Sequence, residues 1–181
     1  LNGVIDFNSA TPRFDLVADI RKANLKELQL TKDSISFRGK LNFNFTSSNI
    51  DNFLGTARIS DAELLRNDTR LPFDSLVITS GYEGGIKKLT ARSNEFDAKV
   101  EGDFSITDLP NAFTYFLHKY YPAYVAQPKK MPRNQDIRFD ITTYYADEFL
   151  LLIDSSMSGI SNSHFSGQIN LPENIFTLKA D

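Results

Sequence analysis

Apolar residues recur at every second position in run after run, and a period of two leaves few folds open to a chain. Phe14, Leu16, Ala18 and Ile20 alternate with polar or small neighbours; so do Ile35, Phe37, Leu41, Phe43 and Phe45, with Gly39 in the missing slot. Phe96, Ala98, Val100, Phe104 and Ile106 repeat the pattern, followed by Ile137, Phe139 and Ile141. The positions between are polar: Arg38, Lys40, Asn42 and Asn44 in one run, Asp97, Lys99, Glu101 and Asp103 in another. A strand sends alternate side chains to opposite faces, so each run carries one apolar and one wet face. Two runs extend for about ten residues, longer than the usual strand.

Turn-forming clusters at 8–12, 66–69, 81–85, 145–148 and 161–163 separate the runs, as hairpin connections do. Strands joined in this way make a meander with antiparallel neighbours. The expected fold is therefore mainly β: a long curved antiparallel sheet forming an open groove, with one or two short amphipathic helices.

The clearer helix signal runs from about Asp108 to Tyr121 and stops at Pro122. Asp108 can cap its first turn, and Pro110 is tolerated there. Leu109, Phe113, Phe116, Leu117, Tyr120 and Tyr124 fall on one stripe, expected to cover part of the sheet's apolar face. Its aromatic, weakly basic character also suits a membrane surface or a groove, but the basic face is thin. A shorter candidate spans 49–54 with Asn49 as cap. The proline-containing, basic stretch 127–133 reads as an exposed loop.

One pattern occurs four times: Gly3-Val4-Ile5-Asp6-Phe7, Gly39-Lys40-Leu41-Asn42-Phe43, Gly102-Asp103-Phe104-Ser105-Ile106 and Gly167-Gln168-Ile169-Asn170-Leu171. Glycine within a strand marks a bulge, a bend or a close backbone approach. Recurring at one point, it bends successive strands alike, and repeats of this kind stack in a line. The spacing suggests repeat units at 39–101 and 102–166.

Chemistry is sparsely signalled. The net charge is −3, and no basic block exceeds Lys129-Lys130 with Arg133 nearby, too little for phosphate-tracking nucleic-acid binding. With no cysteine there is no disulfide framework or thiolate site, which suits an oxidising compartment. His118 and His164 stand at no metal-ligand spacing, so neither a metal nor a cofactor is expected. The serine-rich 155–158 lacks a nucleophile-elbow pattern, and the carboxylates alternate with core positions, toward water rather than into a desolvated pair. Gly81 to Gly85 lacks the Lys-Ser/Thr ending of a phosphate loop and reads as a hairpin. Asn44 and Asn67 begin glycosylation sequons, a weak signal. No apolar run reaches the roughly 18–20 residues of a membrane span. The start at Leu1 and the strand-like end suggest a segment of a longer, non-catalytic protein.

Several stretches taken in order resemble the TamB family of translocation and assembly modules, within the AsmA-like superfamily. They are Lys22-Ala23-Asn24-Leu25-Lys26-Glu27-Leu28, Gly39 to Phe43 followed by Ser48-Asn49-Ile50-Asp51-Asn52-Phe53-Leu54-Gly55, Phe73-Asp74-Ser75-Leu76, and Gly102-Asp103-Phe104 leading through Leu109-Pro110-Asn111-Ala112-Phe113 to Tyr120-Tyr121-Pro122. The match covers about two thirds of the chain and rests on order rather than on one sharp motif. The resemblance implies a taco-shaped β trough in the periplasm of a Gram-negative cell, with an inner-membrane anchor outside this segment. It also implies an outer-membrane barrel partner of the BamA/TamA type, reached through the full-length protein. The implied role is phospholipid transport between the membranes or, alternatively, a scaffold for outer-membrane protein assembly through β-strand pairing. No catalytic motif transfers.

A groove for phospholipid acyl chains would be lined by Phe14, Leu16, Phe37, Leu41, Phe43, Phe96, Val100, Phe104, Phe139 and Ile141, with Leu109, Phe113, Phe116, Leu117 and Tyr120 on the covering helix. That choice depends on register, because a slip of one residue moves a whole set to the other face.

Overall fold

The computed structural model describes residues 1–8, 11–27, 34–66, 69–145 and 159–181. Within them lie ten strands: β1 (Asn2–Asp6), β2 (Arg13–Asn24), β3 (Ile35–Thr46), β4 (Leu54–Arg66), β5 (Thr69–Glu83), β6 (Ile86–Ser93), β7 (Phe96–Asp103), β8 (Asp136–Thr143), β9 (Ser163–Asn170) and β10 (Ile175–Ala180). They form a single sheet in chain order, every neighbouring pair antiparallel. The sheet is open, and among the described residues β1 and β10 are its two edges. The mainly β, open antiparallel architecture expected from the alternation is the one found.

The register aligns the apolar positions from edge to edge. Directly opposed residues share a face, and one such row reads Ile5, Phe14, Phe45, Gly55, Ser80, Leu89, Val100, Phe139, Gly167 and Leu178. The adjacent row reads Gly3, Leu16, Phe43, Ala57, Ile78, Ala91, Ala98, Ile141, Phe165 and Ala180. The opposite face is wet. It carries Arg38–Glu63 at 2.9 Å, Lys40–Asp61 at 2.6 Å, Lys99–Glu101 at 2.9 Å and His164–Asp140 at 3.1 Å. Exposed pairs of this kind contribute about 0–1 kcal/mol each, so they keep the outer face soluble rather than hold the sheet together.

The recurring glycines sit where backbones crowd. At Gly39 (φ +153) the register slips against both neighbours: Arg21 and Lys22 bulge on β2, and Asp61 and Ala62 on β4. A bulge of this kind bends a strand and raises its twist. Gly102 has φ +127, and a Cβ there would lie 2.0 Å from the Asp136 carbonyl oxygen. Gly84 and Gly85, both with positive φ, make the two-residue turn between β5 and β6, the geometry that suits strand twist.

The helix forms close to the expected limits, as α1 (Leu109–Tyr120) with Pro110 in its first turn. Asp108 occupies the cap position but makes no capping bond. Its carboxylate instead accepts from the Asn111 side-chain amide at 3.0 Å and from the Arg133 backbone amide, tying the returning loop to the start of α1. The shorter candidate is only a 3-10 turn (Ile50–Asn52), with Phe53 following it and Leu54 already in β4. Its cap is as expected: the Asn49 side chain accepts from the amides of Asp51 and Asn52, and Asn52 reciprocates. Leu28, Asn67, the turn at 146–148 and the serines at 155–158 lie outside the described residues.

Candidate functional site

Every residue expected to line a groove lies on the same face of the sheet. Phe14, Leu16, Val100, Phe139 and Ile141 fall in the two rows above, with Phe43; Leu41 and Phe96 lie one step along the strands and Phe37 two steps beyond Leu41, while Phe104 follows the end of β7 and packs with Ile137 and Phe139 on that side. That face also carries Phe45, from the same alternating run as Phe43, and Ile59, Leu76, Ile78, Leu89 and Phe165, which the alternating runs do not include. On β4 to β6 the apolar side alternates large residues with Ala57, Ala91 and Ser80, so the stripe emerges only once strands are paired.

The face differs from end to end in what covers it. Above β7 to β10, α1 sets Ala112 and Phe116 against Phe104, Ile137, Phe139 and Ile169 in a buried cluster. Phe116 stacks on Phe176 with centroids 5.3 Å apart, and Phe113 meets Phe139 and Phe176 at 5.9 and 6.0 Å. Leu109 packs at the margin of this cluster. Three residues of the expected stripe do not join it: Leu117 is 40% exposed, Tyr120 54% and Tyr124, beyond the end of α1, 89%. The buried contact is set by Ala112, whose small side chain lets the helix approach and which the aromatic stripe did not reveal. Phe116 and Ala112 fix the seated side, and the end of α1 projects past it.

Above β1 to β5 no helix lies over the apolar face among the described residues. Phe14, Leu16, Phe37, Leu41 and Phe43 are half-buried, screened chiefly by one another. Rings run in contact across the edge of the sheet: Phe7 to Phe14 at 6.2 Å, Phe14 to Phe45 at 4.8 Å, Phe45 to Phe43 at 5.5 Å and Phe45 to Phe53 at 4.8 Å. Ring pairs of this spacing are favourable beyond their burial, which keeps the strip ordered while its outer side stays accessible.

Between the two regions, one end of the face is drawn together. The Asp51 carboxylate accepts from the Thr107 amide at 3.0 Å, the Thr107 hydroxyl at 2.7 Å and the Ser105 hydroxyl at 3.1 Å. Strands spaced about 4.8 Å apart would hold β4 and β7 about 14 Å from each other in a flat sheet. Their connections instead reach across that span and meet over the apolar side. Beneath them the Lys87 ammonium, on that same face, donates to the Asp51 carbonyl and lies 4.8 Å from the Phe104 ring centroid. Burial lowers the Lys87 pKa, and the nearby Asp51 and Asp103 carboxylates offset part of that. Burial also opposes ionisation of Asp51, but the Thr107 and Ser105 hydrogen bonds outweigh it and hold the carboxyl below its usual range. A cleft of about 590 Å³ opens beside Lys87, with Tyr82, Phe104 and Arg138 among its walls.

No set of three or more His, Cys, Asp or Glu side chains is placed to hold a metal among the described residues. His118 is occupied with the Val125 carbonyl at 2.7 Å, and His164 with Asp140. Among the described residues no helix is long and apolar enough to cross a membrane. Comparison with protein-family models, with curated proteins and with solved structures gives no match to this chain.

Proposed function

We propose that this chain is a non-catalytic segment of a lipid conduit, which holds phospholipid acyl chains against its apolar face as they pass between membranes. The observation that carries this reading is the edge-to-edge alignment of apolar rows, with no helix covering β1 to β5 among the described residues. The rows run across the strands. From β1 to β5, where no helix covers them among the described residues, four inter-strand steps of about 4.8 Å make a path of about 19 Å, along which an acyl chain meets Phe14, Leu16, Phe43, Phe45 and Ile78. Each methylene buried contributes about 0.8 kcal/mol and asks for no directional bond, as a carrier of mixed lipids requires. The resemblance to the TamB family supports a periplasmic setting, an inner-membrane anchor elsewhere in the parent protein and a barrel partner in the outer membrane.

Native mass spectrometry of the purified chain tests this directly, by asking whether phospholipid copurifies. The expected result is bound phospholipid that Phe43→Asp and Ile78→Asp each remove. A chain that carries no lipid and fails to extract fluorescent phospholipid from vesicles overturns the reading.

A second reading is favoured by one observation: among the described residues β1 and β10 each have one edge without a neighbouring strand, open to strand addition by another chain. Capture of an outer-membrane barrel that survives Phe43→Asp supports this scaffold role over transport.

A further inference from the structure

The far end of α1 has chemistry that the apolar face does not use. Leu117, Tyr120, Tyr121, Tyr124 and Met131 are 40, 54, 58, 89 and 58% exposed. The tip that carries the tyrosines is held in shape: the Tyr124 and Val125 amides both donate to the Tyr121 carbonyl at 3.0 Å, and His118 Nδ1 bonds the Val125 carbonyl at 2.7 Å. Binding there needs little further ordering of the backbone, which lowers its entropic cost.

Positive charge is concentrated on α1 and on the loop that returns from its tip toward Asp108. Residues 109–135 contain four Lys or Arg and no Asp or Glu, in a protein of net charge −3. Lys119, Lys129, Lys130 and Arg133 are exposed, and none makes an ion pair among the described residues. Lys130 and Arg133 lie within electrostatic reach of Asp108, but that carboxylate is already engaged by Asn111 and by the Arg133 backbone amide.

We propose that this tip docks on the surface of a bilayer containing anionic phospholipid. Tyr120, Tyr121 and Tyr124 sit at headgroup level, where amphipathic rings partition; Lys119 beside them, and Lys129 and Lys130 on the loop that runs back from the tip toward Asp108, meet the lipid phosphates. Residues 117, 120, 121 and 124 have the spacing that a protein groove reads from a helix. The helix ends at Tyr120, so these side chains splay around a turn instead of forming a stripe. A planar surface accepts that arrangement, and a groove does not. The docking stands whether or not the apolar face carries lipid.

Vesicle flotation of the 181-residue chain tests the proposal, with phosphatidylcholine vesicles compared against the same vesicles containing phosphatidylglycerol. The chain is expected to float with the anionic vesicles, and added salt should release it. The double variant Lys129→Gln, Lys130→Gln should lower partitioning roughly 25-fold, about fivefold per cation. Tyr124→Ser should weaken it further, and Phe43→Asp, in the open face, should leave it unchanged. Equal flotation with both vesicle types, or no response to loss of the two lysines, overturns docking. Loss of flotation in Phe43→Asp overturns it as well, by assigning the binding to the apolar face. A dimer in solution that Tyr124→Ser dissolves, without change in flotation, assigns the tip to a second copy and also overturns the proposal.

Discussion

The two halves of the sheet use one sequence pattern to opposite ends. Over β7 to β10 the alternating residues become a core, with Phe116, Ile137 and Ile169 fully buried. Over β1 to β5 the same alternation leaves Phe14, Leu16 and Phe43 half-covered. The difference lies in the connection leaving each glycine-led strand. After the Gly39 strand that connection holds a three-residue 3-10 turn, and after the Gly102 strand it holds the twelve-residue α1. A strand's alternation decides which side is apolar. The connection decides whether that side is interior or surface.

Truncating Phe116 should separate the halves most sharply. Phe116→Ala removes a ring buried on all sides, and a loss of about 4 kcal/mol is expected in urea unfolding. Phe43→Ala removes a half-screened ring and should cost about 1 kcal/mol, from the area it hides. Equal losses would mean that the open half is as tightly packed as the covered one, and the comparison would fail.

Glycine substitutions come next in size. Gly102→Ala forces a Cβ to within 2.0 Å of the Asp136 carbonyl oxygen at a positive φ. The pairing of β7 with β8 holds that oxygen in place, so a loss of about 3 kcal/mol is expected. At Gly39 the nearest atom is the Ala62 methyl at 2.8 Å, beside a register shift that can relax. Gly39→Ala should therefore cost less, about 2 kcal/mol. Thermal unfolding of the two variants gives the order, and a reversed order would place the stiffer backbone in the open half.

Much of this arrangement is legible in the residues, for identifiable reasons. Phe14, Phe43, Val100 and Phe139 alternate against charged or amide neighbours, so their common face follows from the strand period and survives into the paired sheet. Ile59, Ile78 and Leu89 are assigned to that face only through pairing across strands, which no single segment encodes. Ala112 is invisible in the sequence because an alanine in a helix carries no pattern; its part is to let α1 approach. Leu117 is misplaced by the stripe because it sits about 100° around the helix axis from the buried Phe116, and Tyr120 because it is the last residue of α1, a full turn beyond Phe116. Asp108 takes the expected position with a different partner, since Arg133 lies 25 residues away in sequence.

The link between the halves gives a smaller effect. Asp51 in the first connection is the acceptor for Thr107 and Ser105 in the second. Asp51→Ala leaves the Thr107 amide without that acceptor and removes a negative charge close to Lys87. The expected cost is about 2 kcal/mol, the usual range for a hydrogen-bonded charge. Asp51→Asn keeps one acceptor and should fall between the variant and the parent chain. A null result for Asp51→Ala would show that the halves are joined through the sheet alone.

Acid provides the smallest and most selective probe. The Asp51 carboxyl is held below its usual range although burial opposes its ionisation, because the hydrogen bonds from Thr107 and Ser105 prevail. Asp108 is lowered by the Asn111 amide and then by the Arg133 backbone amide, against burial. For a carboxyl with its folded pKa depressed, the unfolded chain binds more protons in the window between the two values. Stability therefore rises with pH there. Each contribution is complete above the unfolded value, near pH 4, and is lost as pH falls through the folded one. Urea midpoints measured from pH 5 downward should fall, and Asp51→Asn should flatten that slope by its own share. The Asp108 share lies beneath α1, in the covered half, and should remain in that variant. If Asp51→Asn abolished the slope completely, acid sensitivity would belong to the link between the halves and not to the anchorage of the helix.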